Sequence, residues 1–208
     1  MIAHHVRALC LVWLVLLAIA WPAAAQSGPS CPLGPGGNPI SFSLPDNDGV
    51  MRSPAQFKGQ VLIINHADPE HRDTNEAVSD AVKQAVQNGQ LSKDLVVGLG
   101  IADCQASWLP NSIIRAVGKF KAHKYGSAVL YDTTGEVRRC WGLPPHTSTI
   151  VILDKKGVCR FIESGKLDPT KIPELIELLA ALEREPRAKE APGPGSASQG
   201  RPIEPVEY

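Results

Sequence analysis

Ile150-Val151-Ile152-Leu153-Asp154-Lys155-Lys156-Gly157-Val158-Cys159-Arg160-Phe161-Ile162 consists of two short apolar runs around a charged turn. Branched residues dominate both runs, and the glycine supplies the backbone freedom that a tight turn needs, so the segment reads as an antiparallel hairpin. Immediately downstream, Asp168-Pro169 has the order of a helix cap followed by a first-turn residue, and Ile172, Leu175, Ile176, Leu179 and Leu182 recur on one helical face. The chain therefore closes with a hairpin and an amphipathic helix.

Working upstream, Val61-Leu62-Ile63-Ile64 behind Lys58-Gly59, and the stretch 95–102, are uninterrupted apolar runs of the kind buried on both faces of a sheet. Between them Ala77, Val78, Ala81, Val82, Ala85 and Val86 have helical spacing, with Asp73 and Glu76 placed like a capping box and Gly89 placed to end the helix. Strand, helix, strand is the unit of a parallel sheet. A second helix is expected over 111–121, burying Ile113, Ile114, Val117 and Phe120, followed by a strand at 128–131, a turn at Thr133-Thr134-Gly135 and a return strand at 137–141. Parallel units, then a hairpin, then a closing helix give an α/β domain with a central mixed sheet flanked by helices, in the order of the thioredoxin fold.

The two ends read differently from this core. Residues 1–7 carry a single ionic side chain, Arg7, the stretch 8–20 is apolar, and Trp21-Pro22 leads into Ala23-Ala24-Ala25. That is the order of a secretory signal cut after Ala25, and the apolar run is shorter than the roughly 20 residues of a spanning helix. The expected organisation is a signal peptide at 1–25, a flexible leader at 26–39, one domain at 40–184 and a Pro/Gly-rich tail at 185–208 with little to bury. The protein is then periplasmic or secreted, with no membrane attachment after cleavage. Lys and Arg together number 21, as do Asp and Glu, so nothing in the charge balance points to nucleic acid or a membrane surface.

Phe42-Ser43-Leu44-Pro45-Asp46, Asp48-Gly49, Phe57-Lys58-Gly59 and 61–65 resemble the entry into thiol peroxidases and periplasmic thioredoxins of the thioredoxin-fold superfamily. Trp108-Leu109-Pro110, Tyr131-Asp132 with Gly135, Trp141-Gly142-Leu143, and 150–154 with Gly157 are most similar to one branch, the YtfJ-like periplasmic proteins. The resemblance spans about 40–182. It implies the fold; that branch carries no settled activity, so it implies no reaction and no cofactor.

In redox members of the superfamily a nucleophilic cysteine follows the first central strand, at a helix start that favours thiolate. Here that loop is Asn65-His66-Ala67-Asp68-Pro69-Glu70-His71-Arg72-Asp73-Thr74, and alignment on Asn65 puts His71 and Thr74 at the two cysteine positions. The cis-proline position is occupied by Thr147-Ser148-Thr149. His66, Asp68, Glu70, His71 and Asp73, joined by His146 from the returning segment, read first as solvated residues capping the helix. Their alternative use is a binding edge, either a metal site for zinc or copper through His66, His71 and His146 or a site for a small anionic ligand at the helix start.

After signal cleavage the cysteines are Cys31, Cys104, Cys140 and Cys159, with no C-x-x-C spacing. Cys104 and Cys140 are expected to be neighbours, as a structural disulfide or buried pair first and as a relocated catalytic redox pair second. Trp108 and Trp141 are read as core before binding surface. Three functions follow in order: a non-enzymatic binding or accessory module acting on a periplasmic protein or small anionic ligand, a thiol or peroxide oxidoreductase using Cys104 and Cys140, and a metal-binding protein.

Overall fold

In the computed structural model the described residues are Gly37 and 39–186; the expected signal peptide at 1–25, Cys31 and most of the expected tail lie outside them. The central sheet has five strands, in the order β5 (Ala128–Asp132), β4 (Val96–Asp103), β3 (Val61–Ala67), β6 (Ser148–Leu153), β7 (Cys159–Ser164). β3, β4 and β5 run parallel, whereas β6 is antiparallel to β3 and β7 to β6. A short hairpin of β1 (Leu44–Pro45) and β2 (Met51–Arg52) precedes them. This is the thioredoxin-like arrangement that the order of the sequence elements implies.

Alternation along the strands sorts two cores. Leu62 and Ile64 of β3, Leu99 and Ile101 of β4 and Val151 of β6 face a cluster closed by Phe42 and Trp141, whose rings meet edge to face at 6.1 Å. Val61, Ile63, Ile150 and Ile152 face the opposite way, toward α1 (Glu76–Gln87) and α4 (Ile172–Arg184). The same face continues through Val129 and Tyr131 to Ile114 of α2 (Asn111–Tyr125).

The hairpin forms around Asp154, whose Oδ1 accepts from the amides of Lys156 and Val158 at 2.9 and 3.0 Å, with Gly157 at φ 80. Lys155 in that turn is only 9% exposed. Its Nζ donates to the carbonyls of Glu183 and Glu185, capping the C-terminal end of α4 with a cation where the helix dipole is negative.

Several expectations are corrected. Residues 137–141 belong to a short helix, α3 (Glu136–Trp141), rather than a return strand. The fully buried carboxylate of Asp132 accepts from the amides of Glu136 and Val137 at 3.1 and 2.8 Å, which starts a helical turn, and Val137 and Trp141 become buried as an i, i+4 pair. α2 runs a turn beyond Lys121, ending on left-handed Gly126, because Lys124 and Tyr125 are anchored by hydrogen bonds to Glu76. On that helix Ile113 and Phe120 are 48% and 66% exposed instead of buried.

The cap of α1 is Asn75 rather than Asp73. Asn75 is buried, donates to the carbonyl of Gly165 at 2.9 Å and to Ser148 Oγ at 3.1 Å, and accepts from the amide of Leu167 at 2.9 Å. It thereby ties the start of α1 to β6 and to the β7–α4 connection. Glu76 is turned outward to α2, accepting from Lys124, Lys121 and Tyr125 at 2.7, 3.2 and 3.0 Å.

Two predictions test these ties. Asn75→Ala leaves buried backbone groups without partners, and should lower stability by about 2–3 kcal/mol in denaturant unfolding with an unchanged slope. The hydrogen bonds from Lys124, then Lys121 and Tyr125, hold the Glu76 carboxyl down from 4.5 to about 2. A depressed carboxyl contributes stability that is present above its unfolded value and is lost as pH falls toward the folded one. Thermal midpoints measured across pH 4.5 to 2 should therefore fall more steeply in the wild type than in Glu76→Gln.

Candidate functional site

β3 delivers its last residue, Ala67, into Asp68, and one turn of tight helix at Pro69–His71 separates the strand from α1. The Asp68 amide donates to the carbonyl of Thr147 at 3.1 Å, so the loop after β3 and the approach to β6 are held together by backbone. That approach contains His146 at φ 54, a left-handed conformation unusual for a residue with a side chain. In this position the His146 ring stands over Asp68, with Nδ1 3.2 Å from Oδ2.

Asp68 is the hub of the edge. It is 3% exposed, and its Oδ1 accepts from the Glu70 amide at 3.0 Å. Glu70 in turn accepts from Ser107 Oγ at 2.9 Å, which fastens the β4–α2 loop to the same point. Burial pushes the Asp68 carboxyl above its ordinary range, and its hydrogen bond with Glu70 adds to this; that same bond, followed by Ser107, holds Glu70 below its own. The two neighbouring carboxyls are thus shifted in opposite directions, Asp68 up and Glu70 down.

The sequence candidates are only partly gathered here. Asp68, Glu70 and His146 meet. His71 lies at the rim, its Nδ1 3.8 Å from Asp68 Oδ2, beyond hydrogen-bonding distance. Asp73 leaves the edge for α2, pairing with Lys121 at 2.5 Å. His66 is 2% exposed and belongs to the other face of the sheet, because its position in β3 alternates with Ala67. Burial lowers its pKa while Asp103 and Asp132 pull it up, and Arg138 binds Asp103 at 2.7 Å beside it. This histidine sits in a buried ionic cluster that the sequence reading did not assemble. The cluster was signalled by acidic residues ending two apolar strands at paired positions, Asp103 opposite Asp132. Consequently His66, His71 and His146 do not form a metal set, and among the described residues no group of three or more His, Cys, Asp or Glu side chains is placed to hold a metal ion.

The cysteine pair is also corrected. Asp103, the last residue of β4, points toward α3 and Arg138, so Cys104 falls on the opposite side, among Ile114, Val129 and Tyr131. Cys140 packs on the Trp141 side. The two side chains therefore pack against different clusters. Burial raises the Cys104 thiol to about 11, and burial also raises that of Cys159.

One residue at the edge departs from its sequence reading in the other direction. Trp108, read as core, is 83% exposed, on the loop that Ser107 pins to Glu70. Trp141 is core, at 2%.

The carboxyl pair can be tested directly. In a carboxyl-carbon NMR titration Asp68 should titrate above and Glu70 below their ordinary ranges, and Asp68→Ala should return Glu70 upward, because its strongest hydrogen bond is gone.

Comparisons with known proteins agree with this architecture. An uncharacterized protein of Haemophilus influenzae is 25% identical over 138 residues, covering 62% of this chain and 70% of its own. Chloroplastic peroxiredoxin Q of Populus jackii is 31% identical over 156 residues, covering 69% of this chain and 67% of its own. The pneumococcal exposed lipoprotein thioredoxin of Streptococcus pneumoniae superposes with a TM-score of 0.53 at 17% identity, over 67% of this chain and all of its own, which is a likeness of fold. The family of bacterial proteins of unknown function YtfJ_HI0045 matches residues 51–182, the whole span from β2 to the end of the α4 core, and the chain belongs to that family.

Proposed function

We propose that this protein is an exported, non-enzymatic binding or accessory module, in which the thioredoxin scaffold presents a recognition edge built from Asp68, Glu70, His71 and His146 with Trp108 as its aromatic anchor. The observation that carries the reading is the exposure of Trp108, 83%, on a loop fastened through Ser107 to Glu70, whose amide is held in turn by the buried Asp68 carboxyl. A large apolar side chain held in water beside an ordered polar rim has the composition of a protein-contact surface. The position that would attack a disulfide holds His71 instead of a thiol. The signal-like sequence at 1–25 supports export, and no helix among the described residues is long and apolar enough to cross a membrane.

The likeness to peroxiredoxin Q favours a second reading, thiol-dependent peroxide reduction. A thiol raised to about 11 is almost entirely protonated at neutral pH and is a poor nucleophile, which counts against Cys104 in that role.

Two measurements separate the readings. Turnover of hydrogen peroxide or of a disulfide-bonded peptide should stay at background; turnover that Cys104→Ser or Cys140→Ser abolishes would establish the oxidoreductase instead. A photo-crosslinking residue at position 108 should capture a discrete protein adduct in the exported compartment, lost on Asp68→Ala, whereas the same residue at exposed Lys58 should not. Equal capture at both positions would remove the edge as a recognition site.

A further inference from the structure

The helix-covered face of the sheet holds a space that neither the core packing nor the Asp68 edge uses. Between α1, α2 and the strands beneath them lies a cleft of about 850 Å³. Protein interiors rarely contain voids larger than a water molecule, whereas sites that enclose small molecules span about 300–1,000 Å³.

The cleft has a cause in the sequence. The positions of β4 that face these helices are Val96, Gly98, Gly100 and Ala102, so most of that strand offers nothing larger than a methyl group. Gly98, Gly100 and Ala102 accordingly keep partial exposure although β4 is paired along both edges. Ala67 of β3 adds another small residue to the floor. Above it, α1 contributes Val78, Val82 and Val86, and α2 contributes Ile113, Ile114 and Val117. The two helices are joined through the ion and hydrogen-bond cluster around Glu76, which holds them side by side while the floor beneath stays unfilled.

The lining is apolar with a rim of one sign. Arg72, Lys83, Lys93, Lys121 and Lys124 border the cleft, and no Asp or Glu does. Lys121 and Lys124 are paired with Asp73 and Glu76, and Lys83 donates to the carbonyl of Lys124 at 2.8 Å. The Lys93 side chain has no hydrogen-bond or ion partner among the described residues. Lys83 lies in the last turns of α1 and Lys93 in the turn leading into β4, so both stand at the end of the cleft away from Asp68.

We propose that this cleft binds a single-chain anionic amphiphile of the fatty-acid class, its hydrocarbon lying over Gly98 and Gly100 beneath α1 and α2 and its carboxylate at Lys83 and Lys93. Apolar walls and an uncompensated cation at one end are the complement of such a molecule, whose chain gains by leaving water and whose head needs a counter-charge. The site is separate from the edge assigned above, so either assignment stands or falls without the other.

The test uses the folded chain with the fluorescent polyene acid cis-parinarate and its neutral methyl ester, in three proteins. Gly98→Val puts a side chain on the floor of the cleft; its Cβ would meet only Ser127 Cβ at 3.6 Å, an ordinary contact. Wild type should bind the acid saturably and one to one. Gly98→Val should weaken acid and ester alike by about tenfold or more, with no loss of thermal stability, since it fills space. Lys83→Gln with Lys93→Gln should weaken the acid by about tenfold and leave the ester within about twofold. Should Gly98→Val fail to fold by circular dichroism, Val82→Trp fills the same space from the helix side. Absence of saturable binding by wild type, or undiminished binding when the cleft is filled by either variant, overturns the site. Equal losses of acid and ester in the double lysine variant overturn the placement of the carboxylate.

Discussion

Strand β3 is paired on both edges, to β4 and β6, and buried on both faces, and this double constraint organises the rest of the molecule. A strand so enclosed cannot slip by one residue without exchanging its two cores, so Leu62 and Ile64 are committed to one side and Val61 and Ile63 to the other. The same alternation carries through to the strand's end, where it puts His66 on the side of Leu62 and Ile64, and Asp68 follows past the end of the strand. Parallel pairing to β4 obliges the chain to cross over through α1, and antiparallel pairing to β6 brings Thr147 and His146 back beside Asp68. The edge is thus a product of how one strand is bonded.

The parts of the fold legible in the sequence were those in which local chemistry and burial agree. The hairpin at 150–162 had matching apolar runs and a turn glycine, and α4 had its apolar face, although Asp168 caps the short turn Pro169–Lys171 that leads into α4 and not α4 itself. The segment 137–141 was misread because its two apolar residues fit a strand or a single helical turn equally well, and the deciding interaction comes from Asp132, several residues earlier. The Asp73–Glu76 spacing suggested a capping box, but both acids are drawn outward by α2 lysines, contacts far apart in sequence. The edge itself was legible as a location because the fold determines where the loop falls. Its membership was not: which histidine points up or down depends on strand phase, and the exposure of Trp108 depends on a tertiary tie through Ser107.

Membership of the YtfJ_HI0045 family places this chain among proteins that share a scaffold with redox enzymes without an assigned reaction. The physical difference lies in what has been put at the end of β3. Redox chemistry there depends on a thiol exposed at a helix start, where the amide groups favour its anion. This chain puts a buried carboxyl at the strand's end, and among the described residues Cys104 and Cys159 are buried in the layers. The scaffold's capacity to hold a loop rigidly at one edge is retained while the group it holds has changed.

The Lys155 ammonium has a consequence for where the folded unit ends. Both of its acceptors are backbone carbonyls of the last turn of α4 and the residue just after it, Glu183 and Glu185. These acceptors exist whatever side chains occupy those positions, so the anchor tolerates sequence drift in the helix end but not its removal. A chain cut before Glu183 would leave a nearly buried cation at the hairpin tip without either partner, and the hairpin that begins the C-terminal half would inherit the damage. Any shortening of the tail has therefore to keep the Glu185 carbonyl, thirty residues along the chain from the side chain that it anchors.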